Sequence, residues 1–191
     1  MDAAIAMSET FVELAKRAFS FLGGAGFRLT KSEPGQVQYE SDRSFVAVSW
    51  DSRSGELDAL VGLLPRTGKA QDEYSLADIM GVAGVPASDC KLTQVADEGR
   101  LGPLVEKLAT DLCTHAQPAL AGDRMYFRRL ETFRGVKADN YMREMKLRQV
   151  RSEAEKAWQN RQYDRVVSLY GAVEGDLTES ETRKLEYARQ H

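Results

Sequence analysis

Few side chains in this chain could do chemistry. There are two histidines, His115 and His191, and two cysteines, Cys90 and Cys113. Cys113-Thr114-His115 sets a thiol near an imidazole, but residues two apart on a helix do not share a face. The pair makes a poor nucleophile and base, and a packed cysteine beside a partly exposed histidine near a helix end is the plainer reading. No cysteine and histidine spacing suits zinc. Gly23-Gly24-Ala25-Gly26 follows a helical pattern instead of opening one, so it reads as a C-cap and not as a phosphate loop. Gly68-Lys69 lacks the upstream glycine and the following Ser or Thr of a P-loop, and no Gly-x-Ser-x-Gly elbow occurs. On this inventory we expect no catalytic residue, no metal, no cofactor and no enzymatic activity.

Carboxylates are the exception. Glu33, Glu40, Asp42, Asp51, Glu56 and Asp58 fall within one short stretch. Two of them could serve as acid and base. Solvated turns and a wet sheet face are the plainer reading. A carboxylate-rich surface would also draw a basic partner over long range and speed encounter. The residues expected to contact a partner are therefore Tyr39, Glu40, Asp42, Trp50, Asp51, Glu56 and Asp58. The carboxylates would steer, and Tyr39 and Trp50 would anchor, because aromatic anchors carry much of an interface's energy. Trp50 fits a core position as well.

The elements that must position these groups begin with Glu33–Leu64. Val46, Val48 and Trp50 alternate with Phe45, Ala47 and Ser49, and Val37 and Tyr39 alternate with Gln36, Gln38 and Glu40. That period of two predicts strands, with one face of the upstream strand wet. Leu57, Ala59, Val61 and Leu63 continue it, with Leu60 off pattern. Ser41-Asp42-Arg43-Ser44 and Asp51-Ser52-Arg53-Ser54-Gly55 supply turns, so the stretch predicts an antiparallel meander. Gly26–Lys31 adds a candidate strand. A helix from Thr10 to Leu22, with Thr10 and Glu13 at capping-box spacing, would cover the apolar face, leaving Met1–Ala6 as an extension.

Beyond the ribbon, Pro65–Glu73 reads as a polar loop and Tyr74–Ala83 as a short helix opened by Ser75 and Asp78. Lys91–Val95 reads either as loop or as a short edge strand. From Arg100 the pattern is helical. Leu101, Leu104, Val105, Leu108 and Leu112 form one stripe, closed at Gln117-Pro118. A further helix carries Tyr126, Leu130 and Phe133 and ends near Gly135. A long one covers Asp139–Asn160. Two more follow, the last capped by Thr178 and Glu181. The fold class is α+β: a small antiparallel meander sheet covered by an N-terminal helix, followed by an all-helical C-terminal half. The expected division is a helix-plus-sheet module over 1–99 and a helical module over 100–191, separate or packed as one domain.

Composition narrows the class further. A chain of 191 residues buries about 70% of its unfolded surface and needs no disulfide scaffold. No apolar run approaches the roughly 18 residues of a membrane span, and no signal-peptide pattern opens the chain. We expect a cytoplasmic protein with no membrane partner. Residues 1–118 carry eleven basic and seventeen acidic side chains, whereas residues 123–151 carry nine basic and four acidic. Arg124, Arg128, Arg129, Arg134 and Lys137, interleaved with Tyr126 and Phe127, suggest a phosphate-tracking face. The acidic pI of about 5.6 and the lack of any nucleic-acid-binding motif argue instead for a solvated helical face partly paired with the acidic half.

Two resemblances complete the reading. Residues 19–83, through Gly26-Phe27, Tyr39-Glu40-Ser41, Val46, Val48, Ser54, Glu56 and Leu57, resemble uncharacterised bacterial immunity-like proteins that accompany polymorphic toxins. This resemblance implies a non-catalytic, immunity-type protein that neutralises a cognate bacterial toxin, a basic domain, by occluding it. Residues 154–188 look like a degenerate tetratricopeptide unit, with Tyr163, Val166, Tyr170 and Ala188 at packing positions. The repeat's Leu-Gly pair and closing proline are missing and Trp158 is displaced, so a plain helical hairpin is the other reading. The repeat-like hairpin implies an adaptor or chaperone that grips a protein partner around Trp158, Tyr163 and Tyr170.

Overall fold

Residues 2–65, 73–90, 93–95 and 98–191 are described by a computed structural model. They divide into two compact units, Met1–Arg134 and Gly135–His191. The compositional division at residue 99 falls inside the first unit. The helical stripe that opens at Leu101 belongs to the sheet module because it covers the sheet.

The alternating stretch forms the centre of the first unit. Strands β1 (Arg28–Glu33), β2 (Gln36–Glu40), β3 (Ser44–Asp51), β4 (Glu56–Leu63) and β5 (Glu73–Ser75) lie side by side in that order, all antiparallel. A two-residue strand, β6 (Thr93–Gln94), pairs with the start of β4, so the Lys91–Val95 segment does supply an edge strand. The register sets Val37, Val48 and Ala59 in one row and Tyr39, Val46, Val61 and Tyr74 in another. All seven point to one face and are buried.

Two helices cover that face. Helix α1 (Asp2–Ala18) brings Phe11, Ala15 and neighbouring residues. Helix α4 (Leu101–His115) brings Leu101, Val105, Leu108 and Leu112. Each fully buried Leu or Phe contributes about 2 kcal/mol. Phe11 meets Trp50 with ring centroids 6.2 Å apart. Helix α1 begins well before Thr10 and stops at Ala18, and a separate turn, α2 (Phe21–Gly24), carries the glycines. The Thr10/Glu13 spacing therefore lies within a helix and does not start one.

The opposite sheet face is less wet than alternation suggests. Phe45 and Ala47 are 1% and 5% exposed there, and Gln38 is buried with its amide on Glu40 at 2.6 Å. Helix α3 (Leu76–Val82) starts where Ser75 caps it, the Ser75 hydroxyl accepting from the Asp78 N–H at 3.2 Å. Helix α5 (Gln117–Leu120) follows α4 directly, with Pro118 in its first turn. Its Leu120 carbonyl accepts the buried Ser44 hydroxyl at 2.7 Å.

Helix α6 (Arg124–Gln159) runs unbroken through Gly135, against the expected end there. A glycine costs a helix about 1 kcal/mol, which the flanking helix formers Arg134 and Lys137 help to offset. The second unit comprises the later part of α6 with α7 (Tyr163–Gly171) and α8 (Glu179–Arg189), packed around Val150, Ala154, Val166, Tyr170 and Leu185. The Thr178/Glu181 capping box is present in full. No described helix is long and apolar enough to cross a membrane.

Candidate functional site

The acidic residues of the ribbon sit at two places, not one. Glu40 and Asp42 flank the β2–β3 turn, and Asp51, Glu56 and Asp58 lie at the β3–β4 end. The eight residues of β3 hold these ends roughly 23 Å apart. Glu40 is half-buried beside Gln38, and Asp42 is exposed. Tyr39 and Trp50 are 7% and 4% exposed and belong to the core. Their place on the apolar face removes them as surface anchors, and burial pushes the Tyr39 hydroxyl above its ordinary pKa. The Trp50 indole N–H is buried without an acceptor among the described residues.

The β3–β4 end is built by its turn. The Asp51 carboxylate accepts the N–H groups of Arg53 at 2.8 Å and Ser54 at 3.4 Å, and these bonds hold its pKa below the usual carboxylate value. Gly55 completes the turn at φ 71°, where its carbonyl accepts the Val95 N–H at 2.7 Å. A Cβ there would sit 2.6 Å from the Val95 oxygen, so glycine is required.

Beyond the turn, β6 pairs with Glu56 and Leu57, and β5 pairs with Leu60 through Gly62. Asp58 and Ala59 lie between these two sets of pairs. The Asp58 carboxylate accepts the Ala59 N–H at 2.8 Å. A recess of about 570 Å³ opens at this point. Leu57, Leu76, Met80, Val85, Leu104 and Leu108 give it apolar walls, and Asp58, Asp89, Cys90, Lys107, Asp111 and His115 give it polar ones.

Burial pushes the Asp58 carboxyl up to about 6. The Ala59 N–H opposes the shift, and the nearby carboxylates of Glu56 and Asp78 add to it. No ion pair joins Asp58 to a cation among the described residues. Lys107, the recess's lysine, is already held by Asp111 at 2.5 Å. Asp89 accepts the Ser88 hydroxyl at 3.1 Å, and the Cys90 thiol donates to the Val85 carbonyl at 3.6 Å. Among the described residues, no three His, Cys, Asp or Glu side chains converge closely enough to hold a metal ion.

Of the seven residues expected to bind a partner, only Asp58 lines this recess, with Asp51 and Glu56 near its rim in sequence. The sequence reading missed Asp89, Lys107 and Asp111. Lys107, Asp111 and His115 follow one another at intervals of four, with Leu104 and Leu108 alongside, so a single face of α4 was there to be read. Cys113 opens on a different shallow depression, with Ala18 and Phe21, which separates it from His115.

Two other features bear on function. In the second unit, Trp158, Tyr163 and Tyr187 form a triangle of edge-on rings with centroids 5.5–5.8 Å apart. His191 stacks on Tyr187 at 4.0 Å, and Tyr187 is 44% exposed. Tyr170 is buried and does not join the patch. In the basic stretch, Arg134 pairs with Asp78, Arg143 with Asp176 and Arg151 with Glu181. Part of that charge is thus neutralised within the chain. No family model, no curated protein and no solved structure matches this chain.

Proposed function

We propose that this chain is a cytoplasmic, non-catalytic binding protein of the immunity type, which neutralises a basic bacterial toxin domain by occupying it with the acidic end of its sheet. One observation carries the reading. Asp51, Glu56 and Asp58 stand at the same end of the sheet as a recess that also holds Asp89 and Asp111, and among the described residues no cation is ion-paired to Asp58. A rigid acidic surface of this kind favours a partner rich in Lys and Arg, such as a nuclease whose own site must bind phosphates. The test is co-expression with the basic domain encoded beside it. The wild-type chain should protect the cell and copurify with that domain, and Glu56→Lys with Asp51→Lys should weaken the complex and slow association. A domain that is harmless alone, or lethal in the presence of this chain, would refute the proposal.

A second reading rests on the aromatic patch. Trp158, Tyr163 and Tyr187 offer a partly exposed aromatic surface of the kind that anchors protein partners. An adaptor that grips a partner there would lose binding on Tyr187→Ala and keep it on Glu56→Lys. The immunity reading expects the reverse.

A further inference from the structure

We infer that the recess lined by β4, α3, the loop after α3 and α4 is an anchor pocket for one basic side chain, an arginine or a lysine, presented by a protein partner. The inference deepens the proposed function and rests on it for the partner's basic character. Its physical basis is the mismatch within the recess. Asp58 keeps a carboxylate in partly buried surroundings, where the negative charges of Glu56 and Asp78 act against it. Asp78 already has Arg134, and Lys107 already has Asp111. Asp58 and Asp89 both line the recess, and among the described residues neither is ion-paired to a cation.

Such a site prefers a ligand that is apolar along its length and positive at its tip. Leu76, Met80, Leu104 and Leu108 suit the methylene stem of a long basic side chain. A guanidinium or ammonium beside Asp58 would form a charge-assisted hydrogen bond in a site of reduced dielectric. The volume exceeds that of one side chain and leaves space for water around the head group. An anion would meet Asp58, Asp89 and Asp111, and a wholly apolar group would strand Asp58 without solvent. The acidic surface continues outward through Glu56 to the exposed Asp51 turn, farther than a free amine could reach, which favours a side chain on a protein.

Acid should weaken the site, because the neutral Asp58 carboxyl no longer attracts a cation. The groups around it are Glu56 on β4, Asp78 on α3, Asp89 and Cys90 in the following loop, and Lys107, Asp111 and His115 on α4. His115 lines the same recess, so its part is told apart from that of Asp58 by substitution.

The full chain, labelled with 15N, is titrated with n-butylguanidinium chloride and separately with the uncharged n-butylurea. The expected result is a dissociation constant on the order of 1 mM for the cation. Shifts should be confined to the amides of residues 57–59, 76–80 and 104–115, with no comparable response to the urea. Binding should weaken about tenfold between pH 7.5 and pH 5. Asp58→Asn should weaken it about tenfold at pH 7.5 and abolish the pH dependence. Equal binding of the urea, shifts spread over all surface carboxylates, or a pH dependence that survives in Asp58→Asn would each overturn the inference. If the variant does not fold, the carboxyl 13C titration of Asp58 in the wild type decides. The cation should lower its midpoint, and an unmoved midpoint counts against the pocket. Guanidinium binding in the recess by a chain that gives no protection would keep the pocket and remove the immunity reading. Protection that is indifferent to Asp58→Asn would do the opposite.

Discussion

Arg134 and Asp78 meet at 3.2 Å, and the same guanidinium donates to the Glu73 carbonyl at 2.7 Å and lies 4.2 Å over the Tyr74 ring. One arginine thus fastens the start of α3 and the short strand β5 to the first turns of α6. Asp78 is 7% exposed, so its charge depends on partners inside the protein. Arg134→Ala should cost about 3 kcal/mol of stability in the first unit. Arg134→Lys should recover only part of this, because a lysine keeps the charge and loses the fork and the ring stacking. Urea denaturation of the two variants measures the difference. Equal stability of wild type and Arg134→Ala would contradict the structural role given to this pair.

Asp58 predicts an unusual pH profile. Its folded pKa of about 6 lies above its ordinary value of 3.8. The folded state therefore binds the proton more tightly than the unfolded chain. Its contribution is full below about pH 3.8 and is lost as pH rises through about 6. Ionised at pH 7.5, the group costs up to about 3 kcal/mol. Asp58→Asn should be roughly 2 kcal/mol more stable than wild type at pH 7.5 and equal to it near pH 4, by thermal unfolding at both. A variant less stable at pH 7.5 would mean that an unseen partner holds the carboxylate.

Gly55 ties the turn to the edge strand. Alanine there meets the Val95 carbonyl oxygen at 2.6 Å and must hold a φ of 71°. Gly55→Ala should cost about 2 kcal/mol. The hydrogen-exchange protection lost should centre on Val95 and Leu57. Protection unchanged at Val95 would show that β6 does not depend on this turn.

In the second unit, Thr178 accepts the Glu181 N–H, and Glu181 answers with the Thr178 N–H at 2.7 Å. Arg151 donates to the same carboxylate at 2.8 Å. Thr178→Ala should cost about 1 kcal/mol and fray the first turn of α8. Exchange at residues 179–182 should quicken while the β3–β4 pairing stays protected. Loss of protection throughout the chain would mean that the two units unfold together.

Much of the architecture was legible in near-neighbour patterns. Val46, Val48 and Trp50 announced β3, and Thr178 with Glu181 announced α8, because strand alternation and capping act within a few residues. The start of α1 and the continuity of α6 were not legible. Residues 135–146 are all exposed, so no apolar stripe marks that part of α6, and a single glycine looked like a stop. The site was legible only in part. Asp58 stood out as one carboxylate among six, with nothing local to separate it from Asp42 or Asp51.

The amino-acid order by itself determined an antiparallel ribbon, the helices that follow it and the faces each can bury. Those features arise from periods of two and 3.6 and from caps, all of them short-range. Only the tertiary structure decided that Tyr39 and Trp50 are core, that the ribbon's carboxylates stand at opposite ends of β3, and that Asp58 shares a recess with Asp89, Lys107 and Asp111. These relations depend on which short strands pair with β4 and on which face of α4 packs beside it. Such pairings join residues some fifty apart, and no local preference encodes them.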